Sequence, residues 1–269
     1  MSAVVPPPKQ ITVPEFRAAK AKGAKLAVVT AYDYTSARLC DEAGADAILV
    51  GDSLGMVVQG HPTSLPVTLD EMIYHTKCVM RGVRRALVVV DMPFMTYQVS
   101  AKQAVRSAGR LMKEAGAHAV KLEGGVRMRA AVRACVDAGI PVMGHVGLTP
   151  QAVHQLGGFK VQRDADALLA DAHAVEEAGA FAVVVESVPA DLGAKLTAAV
   201  GIPTIGIGAG AACDGQVLVY HDLLGLFTDF KPKFAKRYAD LGAATKAALE
   251  SYCREVRDGS FPAAEHSFK

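Results

Sequence analysis

The chain lacks tryptophan, closely spaced cysteines, any block of like charge and any long apolar run, and each absence removes a class of protein. Its five cysteines, Cys40, Cys78, Cys135, Cys213 and Cys253, are scattered with no CxxC pair. That excludes a zinc knuckle or a disulfide frame and leaves reduced, buried thiols as the expectation. The formal net charge is only +2, with no basic stretch on which a nucleic acid could rest. No run reaches the roughly 18 apolar residues of a membrane span. The opening MSAVVPPPKQ has no apolar core of the signal-peptide kind. A soluble cytoplasmic protein is therefore expected, with residues 1–9 as a flexible arm.

What is present is a sizeable core. The chain has 269 residues, 51% of them hydrophobic, enough for one large domain. Apolar runs fall at 26–30, 47–51, 86–91, 117–122, 140–145, 181–186 and 203–207. They are short, rich in Val and Ile and apolar at successive positions, the pattern of strands buried on both faces. Helix-forming stretches lie between them at 34–43, 69–82, 100–115, 126–138, 164–178 and 190–200. Four of these end in Ala-Gly, where glycine takes the left-handed turn that closes a helix. A weaker run, 223–226, is the candidate eighth strand. Alternation of this kind demands a parallel sheet with crossover helices. Both an open doubly wound sheet and a closed barrel satisfy it. The count of about eight units favours a (β/α)8 barrel forming a single domain over 1–269. A short helix near 14–20 would cover the barrel's bottom, and a helical extension would follow from about 230 to 269.

Five of the runs end in polar groups: Asp52 and Ser53, Asp91, Lys121 and Glu123, His145, and Glu186. An open sheet would gather such groups at one switch point, whereas a barrel builds its site from all its C-terminal loops. Lys121 and Glu123 are two apart, so a strand points both the same way. Four carboxylates, one lysine and one imidazole would then share one small cavity. Crowded like charges are costly out of water, and a divalent cation is a direct remedy. An oxygen-only donor set favours Mg2+ over Zn2+. Each residue also has a structural role open to it. Asp52 and Asp91 could be caps, as Asp33 is expected to be. His145 could be a buried structural histidine, Glu123 could be the ion-pair partner of Lys121, and Glu186 could cap the next helix. GIGAG at 206–210 could cradle an anion or simply make a tight turn, and His61 and His75 are expected to be structural.

Longer blocks add specificity. VTAYDYTSA, LVGDSLGMVVQGHPTSLPVTLDEMIYHT, VVDMPFMTY, VKLEGG, GHVGLTPQ, GGFKVQ, VESVP, IGIGAGAACDGQVLV, FKPKFAKRY and EHSF occur in order along nearly the whole chain. They closely resemble the 3-methyl-2-oxobutanoate (ketopantoate) hydroxymethyltransferase family. The resemblance implies a (β/α)8 TIM barrel of the phosphoenolpyruvate/pyruvate-like class. It also implies transfer of a hydroxymethyl group from 5,10-methylenetetrahydrofolate to 3-methyl-2-oxobutanoate, giving 2-dehydropantoate on the route to pantothenate and coenzyme A. By position, Asp52 and Asp91 match the family's Mg2+ ligands, and Glu123 reaches the metal through water. Ser53, Lys121 and His145 match the oxoacid-binding residues, and Glu186 the general base. A decameric homo-oligomer is the family's assembly. Lys121 could instead form a Schiff base, but Glu123 nearby is expected to keep its amine protonated. A lyase or mutase acting on another 2-oxoacid, or a barrel without catalysis, are the rival readings.

Overall fold

The computed structural model describes residues 9–268, so all but Lys9 of the proline-rich arm lies outside it. Eight parallel strands close into a barrel in sequence order. They are β1 (Leu26–Thr30), β2 (Ala47–Val50), β3 (Leu87–Asp91), β4 (Ala119–Glu123), β5 (Val142–Gly147), β6 (Ala182–Glu186), β7 (Thr204–Ile207) and β8 (Gly215–Leu218). Seven lie where the apolar runs place them, because Val, Ile and Leu at successive positions bury against barrel interior and helical layer alike. The helices also form as expected, including Leu69–Gly82 behind a Thr68–Glu71 capping box and Ala101–Ala115 behind the Ser100 cap. Glycines 44, 116, 139 and 179, after the four Ala-Gly helix ends, all have positive φ.

The eighth strand is a correction. It is Gly215–Leu218, paired with β7 and β1, whereas Tyr220–Leu224 is helical. This strand carries no continuous apolar run, since Gln216 is exposed and only Val217 is deeply buried among its larger side chains. Gly215 is there for space. A Cβ at that position would stand 2.5 Å from the Leu26 carbonyl oxygen and 2.8 Å from Ile205 Cδ1. Any side chain would therefore wedge β8 away from β1 at the seam where the barrel closes.

The chain divides into two compact units, the barrel up to Val219 and a second unit from Tyr220. The second holds the 18-residue helix Leu241–Asp258, none of whose residues is buried. Among the described residues no helix is long and apolar enough to cross a membrane.

Inside the barrel, inward-pointing residues stack in layers. Leu87 and Val89 of β3, Ala119 of β4, Met143 of β5 and Val184 of β6 belong to one buried cluster. Phe16, on the short helix Val13–Ala18, joins it and meets Phe181 edge to face at 5.8 Å. Since Phe181 directly precedes β6, this aromatic pair closes the N-terminal end of the barrel. Phe16→Ala should cost about 3–4 kcal/mol, the range for emptying a buried aromatic site. The measurement is urea unfolding, and a loss under about 1 kcal/mol would show that the end is held by something else.

Candidate active site

The strand period of two converts that core into a polar rim. Two residues beyond Val89 stands Asp91, beyond Ala119 come Lys121 and then Glu123, beyond Met143 stands His145, and beyond Val184 stands Glu186. The register aligns Asp91 with Lys121 and Glu123 with His145 across neighbouring strands. Asp52 and Ser53 follow the end of β2. Asp52, Asp91, Lys121, Glu123 and His145 are all buried.

Lys121 Nζ lies 3.2 Å from Asp91 Oδ1 and 3.1 Å from His145 Nδ1. Its ion-pair partner is thus Asp91 rather than Glu123, because the barrel's stagger puts Asp91 directly across from it. Burial works against the Lys121 ammonium, but the carboxylates of Asp91, Glu123 and Asp52 outweigh it and hold its pKa above the ordinary lysine value. Because the ammonium can only donate, His145 Nδ1 accepts, and the imidazole proton sits on Nε2. Burial, reinforced by Lys121, holds the His145 pKa well below the usual value, so the ring is neutral. Its Nε2 is 3.2 Å from Glu186 Oε2.

The carboxylates share one tendency. Burial raises Asp52, Asp91, Glu123 and Glu186 alike, with Lys121 opposing in each case. For Glu186 the result is about 7, the value of a base that works near neutral pH. The backbone holds this residue closely. Gly147 packs so near that a Cβ would stand 2.3 Å from the Glu186 carbonyl oxygen. Ser187 then turns away at φ 49, a strained conformation for a residue with a side chain.

The donor set suits a hard cation. No three His, Cys, Asp or Glu side chains among the described residues come together as a metal cage. Mg2+ does not require one, since it takes one or two carboxylates and keeps waters. Asp52 and Asp91 are adjacent, with the Asp52 N–H donating to Asp91 Oδ2 at 3.1 Å. Beside them Gly51 leaves room, for a Cβ there would lie 2.7 Å from Ser53 Oγ and 3.6 Å from Asp91 Oδ2. On these strand ends two buried atoms lack a hydrogen-bond partner among the described residues: His145 Nε2 and, apart from its ion pair, Asp91 Oδ1. Four carboxylates around one ammonium would also gain from added positive charge. The residues fit.

Other features take structural roles. Asp33 caps the helix Tyr34–Glu42, accepting from the backbone of Thr35 and Ser36. His75 Nδ1 bonds the Tyr32 carbonyl at 2.7 Å. In GIGAG, Gly208 and Gly210 have positive φ, as a tight turn requires. Three residues that strand-end reasoning passes over also reach the site. Tyr32 bonds Ser53 Oγ at 2.9 Å, and Tyr97 and Gln151 bond among the carboxylates. All three stand inside or at the ends of the long motif blocks, which was the available signal.

Comparison with known proteins decides the family. The ketopantoate hydroxymethyltransferase family model matches residues 10–264. The chain belongs to that family. A 3-methyl-2-oxobutanoate hydroxymethyltransferase of Moorella thermoacetica is 61% identical over 264 residues, covering 97% of this chain and 98% of the relative. One from Trichlorobacter lovleyi is 57% identical, covering 97% and 99%. This ketopantoate hydroxymethyltransferase family member is accordingly an enzyme, a transferase. Among solved structures, phosphonopyruvate hydrolase shares the fold at TM-score 0.65 and 16% identity, over 96% of this chain and 92% of that one. A 2,3-dimethylmalate lyase of the PEP mutase/isocitrate lyase superfamily does so at 0.59 and 16%, over 96% and 93%.

The raised Glu186 pKa has a consequence for stability. A carboxyl raised from 4.5 to about 7 on folding adds no penalty below pH 4.5 and destabilises the fold as pH rises through 7. Glu186→Gln should therefore match the parent near pH 4.5 and exceed it by about 2–3 kcal/mol at pH 8. Urea unfolding at the two pH values measures this, and a pH-independent difference would contradict the burial of an ionising carboxyl.

Proposed function

We propose that the chain transfers a hydroxymethyl group from 5,10-methylenetetrahydrofolate to 3-methyl-2-oxobutanoate, giving 2-dehydropantoate for pantothenate and coenzyme A synthesis. One observation carries the reading: a partly buried carboxyl with a pKa of about 7, Glu186, stands 3.2 Å from a neutral imidazole on the rim that also holds Lys121, Asp52 and Asp91. Removing a proton next to a carbonyl needs such a base and a positive environment for the oxygen that gains charge. The names of close relatives support the same reaction.

Asp52 and Asp91, with Glu123 through water, would hold Mg2+, which when bound polarises the keto oxygen and acidifies the neighbouring C–H. The Ser53 hydroxyl, the Lys121 ammonium and the His145 Nε2–H donate to the oxygens of the oxoacid. Glu186 takes the C3 proton while Lys121 offsets the charge growing on the keto oxygen. C3 then bonds to the methylene carbon of the folate's iminium form, whose C=N electron pair moves onto nitrogen. Water replaces that nitrogen on the carbon, its oxygen becoming the hydroxyl of 2-dehydropantoate and a proton going to nitrogen to leave tetrahydrofolate. The ion pair with Asp91 keeps Lys121 protonated, which disfavours a Schiff base. A cytoplasmic homo-oligomer, decameric as in the family, completes the proposal.

Proton NMR of 3-methyl-2-oxobutanoate in D2O tests it. The C3 proton signal should disappear only with protein and Mg2+ present, and product should form only after the folate is added. Glu186→Gln should slow the exchange roughly 10²–10⁴-fold while the oxoacid still binds. Exchange at the parent rate in that variant would move the base elsewhere. Exchange with no folate-dependent product would point to a different second substrate.

A further inference from the structure

Gln151 ends the block GHVGLTPQ and has no part in the chemistry above, yet its hydrogen bonds run to the site. It is buried, in the loop after β5. Its Nε2 donates to Asp52 Oδ2 at 2.8 Å and to the Met92 carbonyl at 2.9 Å. Its Oε1 accepts from the Tyr97 hydroxyl at 2.7 Å and from Gln98 Nε2 at 2.9 Å. Its backbone N–H donates to Glu123 Oε2 at 3.0 Å. Tyr97, also buried, accepts from the Glu123 N–H at 3.1 Å. A primary amide has two protons to give and two lone pairs to fill, and here all four are used. Acceptors on one side and donors on the other leave the amide a single orientation. One residue thereby ties together the segments that follow β2 and β3 and the last residue of β4.

We propose that Gln151 is a positioning residue that holds Asp52 and Glu123 in one preset arrangement for the divalent cation and the oxoacid, a role that rests on the reading of the site given above. A carboxylate on a free rotor must be ordered when a ligand binds, and a saturated amide has already ordered these two. Tyr97 is the outer member of the same device, since its proton fixes which way the amide points.

Gln151→Met preserves length and bulk but can neither donate to Asp52 nor accept from Tyr97. Calorimetric titration of the full chain with 3-methyl-2-oxobutanoate at saturating Mg2+ should show binding weakened roughly 10–100-fold, the usual cost of removing an outer-shell partner. The KM for the oxoacid should rise while that for the folate stays within about twofold, a split that general loosening of the fold would not produce. Tyr97→Phe should weaken binding in the same direction by less, and the double variant should be no worse than Gln151→Met alone. Parent-like binding by Gln151→Met, or additive losses in the double variant, would overturn the role. Where Gln151→Met does not fold, Tyr97→Phe alone decides by whether oxoacid binding falls. A parent protein that fails to bind the oxoacid with Mg2+ would overturn the site reading itself. Binding by the parent that the variant matches overturns the positioning role alone.

Discussion

The site depends on one buried ammonium. Among the described residues Lys121 is the single lysine or arginine that is buried, and it stands within a group of four acidic side chains. At an effective dielectric near 20, unit charges about 4 Å apart interact by roughly 4 kcal/mol, so the position of this charge governs every neighbour. Removing it would leave Asp91 without its counter-ion and the remaining carboxyls with only one another. The costs do not fall evenly. Asp91 has the closest salt contact, whereas Glu186 feels Lys121 only as a partial offset to burial.

The same charge sets proton positions further away. By donating to His145 Nδ1, the ammonium assigns the imidazole proton to Nε2, the face directed at Glu186. A positive charge on His145 would oppose Lys121 at 3.1 Å, so the ring stays neutral and acts as a donor rather than an acid. Lys121, His145 and Glu186 therefore form a directional series along three adjacent strands. Cation, neutral donor and base follow one another because inward positions recur every two residues and the barrel staggers each strand against the next.

That recurrence explains what was readable in the sequence. A buried strand ending in a carboxylate or lysine stands out against its Val and Ile neighbours. Asp91, Lys121, Glu123, His145 and Glu186 could therefore be placed on one rim before any coordinates. The partner of Lys121 could not, because choosing between Asp91 and Glu123 requires the barrel's stagger, which residue spacing does not encode. The eighth strand was obscured for another reason. Its seam requires Gly215 for clearance and tolerates an exposed Gln216, so the apolar signal vanishes where closure occurs. Tyr32, Tyr97 and Gln151 were hidden because loop residues have no periodicity, and their roles come from hydrogen bonds spanning up to 99 positions of chain.

Fold alone would not have distinguished this chain from other barrels of its shape. Phosphonopyruvate hydrolase shares the architecture at 16% identity, and what differs between such proteins is how the rim is furnished. In this rim, satisfied and unsatisfied atoms have separate locations. The amide of Gln151, the hydroxyl of Tyr97 and one oxygen each of Asp52 and Glu123 are mutually bonded and anchor the geometry. His145 Nε2, 3.2 Å from Glu186 Oε2, is buried without a hydrogen-bond partner among the described residues, and Asp91 Oδ1 has only the Lys121 ammonium, at 3.2 Å. A buried polar atom without a partner costs about 1–3 kcal/mol. An acceptor oxygen would relieve it at the His145 Nε2–H, and a cation would offset the charge on Asp91 Oδ1. The bonded atoms hold the rim's geometry, and the unbonded His145 Nε2–H is the group with a hydrogen bond still to give.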